Sequence, residues 1–128
     1  MEFLKPHFEK IYAATRIIAG LMFVQHGLQK LFGVFGGPPA DAPAFIVYGA
    51  GGIELVGGLL VALGLFAAPA AFICSGTMAV AYFIAHQPNG AIPILNGGEL
   101  AALYCWVFLV IAARGAGIWS VQGGGESA

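Results

Sequence analysis

Charged residues are scarce in this chain. Five Lys and Arg and six Asp and Glu make up 9% of the 128 positions, 59% are hydrophobic, and the mean hydropathy is +0.88. A water-soluble domain carries charge on about a quarter of its positions, so this composition predicts an integral membrane protein in a lipid bilayer. The net charge of −1 also argues against nucleic-acid binding, because there is no basic patch to contact phosphates.

Cysteine is equally scarce, with Cys74 and Cys105 as the two thiols. They form no CxxC pair and lie in separate apolar segments, so we expect buried thiols and no disulfide framework. The sequence also lacks a phosphate-binding glycine loop, a nucleophile elbow, an HExxH helix and a CxxCH haem site. We therefore expect no covalently bound cofactor and no metal site.

Long apolar runs dominate what is present. Four of them, residues 11–31, 45–66, 69–85 and 99–116, approach the length of roughly 20 residues at which a helix spans a bilayer. Only a helix satisfies every backbone polar group within one segment, and short connections favour antiparallel neighbours. The sequence therefore predicts an all-α, polytopic membrane protein. We expect a single domain over 1–128, folded as an antiparallel four-transmembrane-helix bundle with a disordered tail at about 122–128.

The positive charges predict the orientation. Lys5, Lys10, Arg16 and Arg114 fall at one end of the expected bundle, and Lys30 falls at the other. By the positive-inside rule both termini face the cytoplasm, and we expect the chain in the bacterial inner membrane. Because Arg16 interrupts the first apolar run, we expect a retained span there and no cleaved signal peptide. Arg16 lies near the inner end of its helix, where we expect its side chain to reach the lipid headgroups.

Polar residues gather at the outer level of the expected bundle. His26 and Lys30 are four positions apart, so they share one face of the first helix, with Gln29 beside them. Glu54 is the acidic residue in the middle of the second apolar run. A charge in hydrocarbon costs about 2.5–3.5 kcal/mol, so we expect Glu54 to pair with His26 or Lys30. The same level also holds Tyr82, His86, Asn96 and Glu99.

Each of these polar residues also has a structural interpretation. A buried pair involving Glu54 fixes the register of two helices without any ligand. Lys30 also suits an anchor at the membrane interface, and His86 an ordinary helix end. Glu99 also suits the N-terminus of the last helix, where the helix dipole favours an anion, and Asn96 suits the cap of that helix. These alternatives stay open at this point.

Four stretches of the sequence carry a family resemblance. They are "RIIAGLMFVQHGLQKLFG", "GGIELVGGLLVALGL", "GTMAVAYFIAH" and "NGGELAALYCWVFLVIAARGAGIWSV". Over residues 12–121 the chain resembles the DoxX family of small four-helix membrane proteins. The resemblance implies kinship with the DoxD-type subunits of thiosulfate:quinone oxidoreductase, and with relatives that act in protein interaction or as cargo receptors. The family often closes with Ser-Leu-Asp, whereas this chain has Ser120, Val121 and Gln122.

Two functions fit these observations. In the first, the chain is a component of a quinone-linked membrane oxidoreductase, His26 and Glu54 exchange protons with the quinone, and a partner subunit or soluble oxidoreductase supplies electrons. Outer aromatic residues, Tyr104 among them, form either an apolar wall for the ring or an interfacial belt. In the second, the chain is a non-enzymatic scaffold that binds a partner, a solute or a second copy of itself. The expected ligand-binding residues are Gln29, Lys30, Tyr82, His86, Asn96 and Glu99.

Overall fold

Helices account for the regular structure of the chain. The computed structural model describes residues 1–122, and no strand occurs among them. The α-helices of this part are α1 (Phe8–Phe32), α2 (Gly51–Leu63), α3 (Ala67–Ala81), α4 (Pro93–Asn96) and α5 (Glu99–Arg114). Apart from Gln122, the tail expected at 122–128 lies outside the described residues. Gln122 itself donates its backbone N–H to the carbonyl oxygen of Gly64 at 3.4 Å.

Two of the helices are extended by turns of wider, π-helical geometry. The turn Phe45–Ala50 runs directly into α2, and the turn Tyr82–His86 continues α3. A short 3₁₀ turn, Gln87–Asn89, then ends the third helical segment. Because π-helical turns break the regular ladder of hydrogen bonds, they are rare and concentrate at functional sites.

The two extended segments are the membrane-capable helices among the described residues. Phe45–Leu63 has 19 residues and a mean hydropathy of 1.9, and Ala67–Asn89 has 23 residues and a mean hydropathy of 1.6. Only 28% and 33% of their apolar windows are buried inside the protein, whereas the core helix of a soluble protein is mostly buried. Two of the four expected spans are therefore confirmed as membrane-capable. Of the other two, α5 has only 16 residues, and polar residues of "VQHGLQK" lie within α1.

The turns between helices differ slightly from the sequence prediction. The second helix ends at Leu63 and not at residue 66, because Gly64 adopts a left-handed conformation with φ 71° and closes the helix. The third helix begins at Ala67, which places Pro69 in its first turn as expected. The loop before α5 contains α4, whose Ile94 and Leu95 are 72% and 76% exposed, so these side chains do not pack against the bundle.

Helices α1 and α2 run antiparallel and approach closely. Near the start of α1, Arg16 contacts the end of α2, and near the end of α1, Lys30 contacts Glu54. Between these contacts, two glycines face each other: a Cβ atom added to Gly58 would lie 2.7 Å from the carbonyl oxygen of Gly20. Small residues at such a contact let helix backbones pack against each other, as expected in membrane proteins.

Helix α5 completes the bundle by packing against α1 and α3. The ring of Phe23 on α1 lies 4.7 Å from that of Phe108 on α5, centroid to centroid. On the other side, the Ser75 hydroxyl of α3 donates to the carbonyl oxygen of Cys105 at 2.8 Å. Phe23 and Phe108 are fully buried and belong to a core to which α1, α2, α3 and α5 all contribute.

Arg16 is fully buried, and the expectation that it reaches the lipid headgroups is wrong. Its guanidinium donates to the carbonyl oxygens of Val61 and Ala62, at 2.9 and 2.8 Å, in the last turn of α2. It also donates to those of Ile118 and Trp119, at 3.0 and 2.7 Å, after the end of α5. Carbonyls in the last turn of a helix have no partner within the helix. Arg16 satisfies them from inside the protein.

Candidate functional site

A cavity of about 380 Å³ lies at one end of the bundle. Its walls come from α1, both π-helical turns, α2, α3 and the start of α5, and they include Phe23, Met78, Leu100 and Tyr104. Cavities that bind small ligands typically measure about 300–1,000 Å³ and have apolar walls with a few polar groups. This cavity has both properties, so it is the candidate functional site.

A buried ion pair forms the main polar feature of the cavity wall. The Nζ atom of Lys30 lies 2.8 Å and 3.0 Å from the two carboxylate oxygens of Glu54. The side chains of Lys30 and Glu54 are only 14% and 3% exposed. Gly51 lies directly beside the Lys30 stem, where a Cβ atom would come within 3.0 Å of the Lys30 Cβ, and so leaves room for the lysine to cross to α2. The expected pairing of Glu54 is confirmed, with Lys30 as the partner.

His26 lies between this cavity and a second, smaller pocket. The smaller pocket has a volume of about 160 Å³ and is lined by Gln25, His26, Gln29 and Phe35. His26 and Gln29 also line the larger cavity. The Gln29 side-chain amide donates to the carbonyl oxygen of Phe35 at 3.0 Å, which fixes the wall between the two spaces. His26 is therefore a residue that a ligand in either space can contact.

His86 lines the cavity from the end of the π-helical turn that follows α3, and a network of hydrogen bonds centred on Asn96 supports it. Its Nδ1 atom lies 3.3 Å from the carbonyl oxygen of Asn96. The Asn96 amide donates to the Tyr82 hydroxyl at 3.0 Å and to the Gly90 carbonyl oxygen at 2.9 Å. Its oxygen accepts the N–H of Gly98 at 2.8 Å. Asn96 thus holds the loop together, while Gly98 occupies the cap position that Asn96 was expected to take.

Glu99 lies outside the candidate site. It is exposed at the first position of α5 and does not line the cavity, which fits its alternative interpretation as an anion at a helix N-terminus. Tyr82 and Asn96 also do not line the cavity. Of the residues expected from the sequence, the structure brings to the cavity wall His26, Gln29, Lys30, Glu54 and His86.

Tyr104 is a cavity residue whose polar atom the sequence did not single out. It is 5% exposed, lines the cavity, and its ring stands edge-on to that of His26 at a centroid distance of 5.8 Å. Among residues 1–122 its buried hydroxyl has no hydrogen-bond partner. In the sequence, its only signal is that it shares a helix face with Ala101 and Phe108, as any core aromatic residue would.

Neither of the two thiols lines the cavity. Cys74 is fully buried, packed where a side chain on Gly57 would collide with its sulfur. Cys105 is half-buried and contacts the hydroxyl of Ser75. Within the described residues, no group of three or more His, Cys, Asp or Glu side chains is placed to hold a metal ion.

Removing the acidic member of the ion pair is expected to destabilise the protein. We expect Glu54→Gln to lower the free energy of unfolding by about 3 kcal/mol, because the Lys30 ammonium is left buried without a counter-charge. The exposed residue Glu99 supplies the control, and Glu99→Gln is expected to change stability by less than about 0.5 kcal/mol. Titration with sodium dodecyl sulfate in mixed micelles measures both. Adding Lys30→Met to Glu54→Gln should restore stability, and failure to do so would contradict this assignment.

The fold and the cavity together define a small helical membrane protein with a ligand-sized site between its helices. The DoxX family model matches residues 11–87, from α1 to the end of the third helical segment. An uncharacterized protein of Haemophilus influenzae is 42% identical over 124 residues, which cover 91% of this chain and 90% of the relative. No solved structure matches the chain significantly. The chain belongs to the DoxX family, as the resemblance in its sequence predicted.

Proposed function

We propose that α1 and α5 cross the membrane together with the two membrane-capable segments, which gives an antiparallel bundle of four spans. At 25 residues, α1 is about 37 Å long, enough for a bilayer core of about 30 Å. Both helices expose large apolar side chains: Ile18 and Leu21 are 57% and 49% exposed, and Leu103 and Trp106 are 62% and 67% exposed. Such a surface suits contact with lipid tails.

The proposed orientation follows from the charges at the two ends of the bundle. Lys5, Lys10 and Arg114 lie at the end opposite the cavity, where Arg114 pairs with Glu9. By the positive-inside rule this end faces the cytoplasm, with both termini on that side of the bacterial inner membrane. The cavity then opens in the outer half of the membrane.

The function that this cavity supports best is the binding of a quinone, in a component of a quinone-linked membrane oxidoreductase. The observation that carries this proposal is the combination of apolar walls with one buried ion pair and an adjacent histidine. A quinone has a flat apolar ring and two carbonyl oxygens. The ring suits contacts with Phe23 and Tyr104, and a carbonyl oxygen accepts a hydrogen bond from the Lys30 ammonium.

Reduction of a quinone to a quinol consumes two electrons and two protons. In this proposal the electrons come from a redox-active partner subunit or a soluble oxidoreductase. Glu54 is ionised while it pairs with Lys30, so it first takes up a proton from the aqueous side, and His26 takes one up through the small outer pocket that it also lines. Each then passes its proton to one ring oxygen as the ring gains the electrons. Gln29 and His86 contact the ligand at the wall, and Tyr82 and Asn96 act by positioning His86.

The test is whether the protein retains a quinone. We expect organic extracts of gently purified wild-type protein to show a quinone by mass spectrometry and by the ultraviolet difference spectrum. Glu54→Gln is expected to reduce the retained amount about tenfold, since Lys30 loses its fixed position, whereas Glu99→Gln should retain it fully. Absence of quinone from the wild type, under conditions that keep loosely bound lipids, would refute the proposal.

A non-enzymatic scaffold is the second candidate function. It is favoured by the exposed apolar residues of the loop before α5, Ile92, Ile94 and Leu95, which lie beside the cavity end of the bundle. Exposed apolar side chains in a loop suit contact with a partner protein. A wild-type protein that holds no quinone but crosslinks through this loop to a partner would favour the scaffold.

A further inference from the structure

The hydroxyl of Tyr104 is a buried polar atom without a partner in the part of the chain that the structure describes. Tyr104 is 5% exposed, and among residues 1–122 no group forms a hydrogen bond with its hydroxyl. Burying a hydroxyl without a hydrogen bond costs about 1–3 kcal/mol, so most buried polar atoms are paired. An unpaired hydroxyl in a cavity wall calls for a functional explanation.

The other tyrosines do not share this feature. The Tyr12 hydroxyl donates to the carbonyl oxygen of Gly115 at 2.6 Å, and the Tyr82 hydroxyl accepts the amide of Asn96 at 3.0 Å. Tyr48 is 68% exposed, so its side chain is not buried within the protein. Tyr104 is thus the one of the four tyrosines that is both buried and unsatisfied.

The ring of Tyr104 is held on several sides. It stacks on Phe108 at a centroid distance of 5.6 Å, with planes only 12° apart, and lies 5.2 Å from Phe23. His26 stands edge-on to it. A ring packed in this way cannot swing its hydroxyl toward a distant partner within the fold. Tyr104 lines the same cavity as Lys30 and Glu54.

We propose that Tyr104 is a ligand-binding residue whose hydroxyl donates a hydrogen bond to a carbonyl oxygen of the molecule in the cavity. This inference rests on the proposed quinone site and adds a second donor to the Lys30 ammonium, on a different helix. Two donors in the wall of an otherwise apolar cavity select a flat ring with acceptor oxygens and disfavour a hydrocarbon of the same shape.

Tyr104→Phe tests the inference, with Tyr12→Phe as the matched control. Binding of a short-chain benzoquinone to the full-length protein in detergent is measured by equilibrium dialysis, and stability by thermal unfolding without ligand. We expect Tyr104→Phe to weaken binding about tenfold and to leave the unfolding temperature unchanged or raised, because no hydrogen bond within the protein is lost. Tyr12→Phe should lower the unfolding temperature and leave the affinity of the folded protein unchanged.

The possible outcomes separate this inference from the proposal on which it rests. Wild-type affinity in Tyr104→Phe would overturn the role of Tyr104 and leave the quinone site standing. A loss of stability in Tyr104→Phe as large as that in Tyr12→Phe, with unchanged affinity, would show a structural hydroxyl and overturn it as well. A wild-type protein that binds no benzoquinone would overturn both.

Discussion

Arg16→Leu is expected to lower the free energy of unfolding by about 5 kcal/mol, the largest effect we expect of a single substitution in this chain. The guanidinium of Arg16 is fully buried and donates to the carbonyl oxygens of four residues, two at the end of α2 and two after α5. A hydrogen bond from a charged donor contributes about 1.5 kcal/mol or more. Leucine removes all four of these hydrogen bonds, although the carbonyl oxygen of Val61 keeps the N–H of Gly64 as a donor at 3.1 Å. Since membrane and soluble domains alike are stable by about 5–15 kcal/mol, much of the stability would be lost.

The same experiment needs variants that separate charge from geometry. Arg16→Lys keeps the charge but lacks the planar fork that serves two pairs of carbonyls, so we expect it to recover only about half of the loss. Arg114→Leu removes a half-exposed arginine paired with Glu9 and should cost less than about 1 kcal/mol. Denaturation in mixed micelles, followed by circular dichroism, ranks the three variants. Equal stability of Arg16→Leu and Arg114→Leu would contradict the buried role of Arg16.

Gly58→Ala is expected to lower the free energy of unfolding by about 3 kcal/mol. An added Cβ atom would lie 2.7 Å from the carbonyl oxygen of Gly20 and 2.9 Å from the backbone nitrogen of Val24. Both are backbone atoms of α1, which cannot rotate away as a side chain can. The two helices must therefore move apart and lose their close packing along the whole contact.

Gly52→Ala is the matched control for Gly58→Ala, because both glycines lie in α2. A Cβ atom at Gly52 would meet nothing within 4 Å. We expect Gly52→Ala to be neutral or to stabilise the protein by up to about 1 kcal/mol, since alanine favours the helix over glycine. Steric trapping in bicelles measures the difference between the two variants. If both changed stability by the same amount, the contact between α1 and α2 would not be as close as the structure places it.

The sequence predicted the fold well where the signal is local. Apolar run length identified the helices, and the break between the second and third runs was placed within a few residues of the turn that follows Leu63. The prediction was weaker where a helix deviates from regular geometry. Nothing in "FIVYGA" or "YFIAH" signals a π-helical turn, because such a turn depends on how the surrounding helices hold the backbone.

The sequence predicted which residue types form the site better than it predicted which of those residues contact one another. The cost of a charge in hydrocarbon identified Glu54 and required a partner for it, and the spacing of His26 and Lys30 offered both as candidates. Whether His26 or Lys30 pairs with Glu54 depends on the rotation of α1 against α2. Gly51 favours Lys30, because its lack of a side chain leaves room for the lysine. Glu99 was placed in the pocket from its depth alone, and its side chain lies outside.

By itself, the sequence determined that this protein is a helical membrane protein of the DoxX family. It also determined that the chain carries several ionisable residues whose charges would cost too much free energy in the membrane if they were unpaired. The family membership rests on the similarity of the quoted stretches to the family, and the other conclusions rest on composition, run length and spacing. All of these are properties of one chain segment at a time. Only the tertiary structure decided that Arg16 faces inward to four carbonyls, that Lys30 is the partner of Glu54, and that the Tyr104 hydroxyl is unpaired within residues 1–122. The reason is that each of these contacts depends on the depth and rotation of two or three helices relative to one another. The packing of the whole bundle determines both.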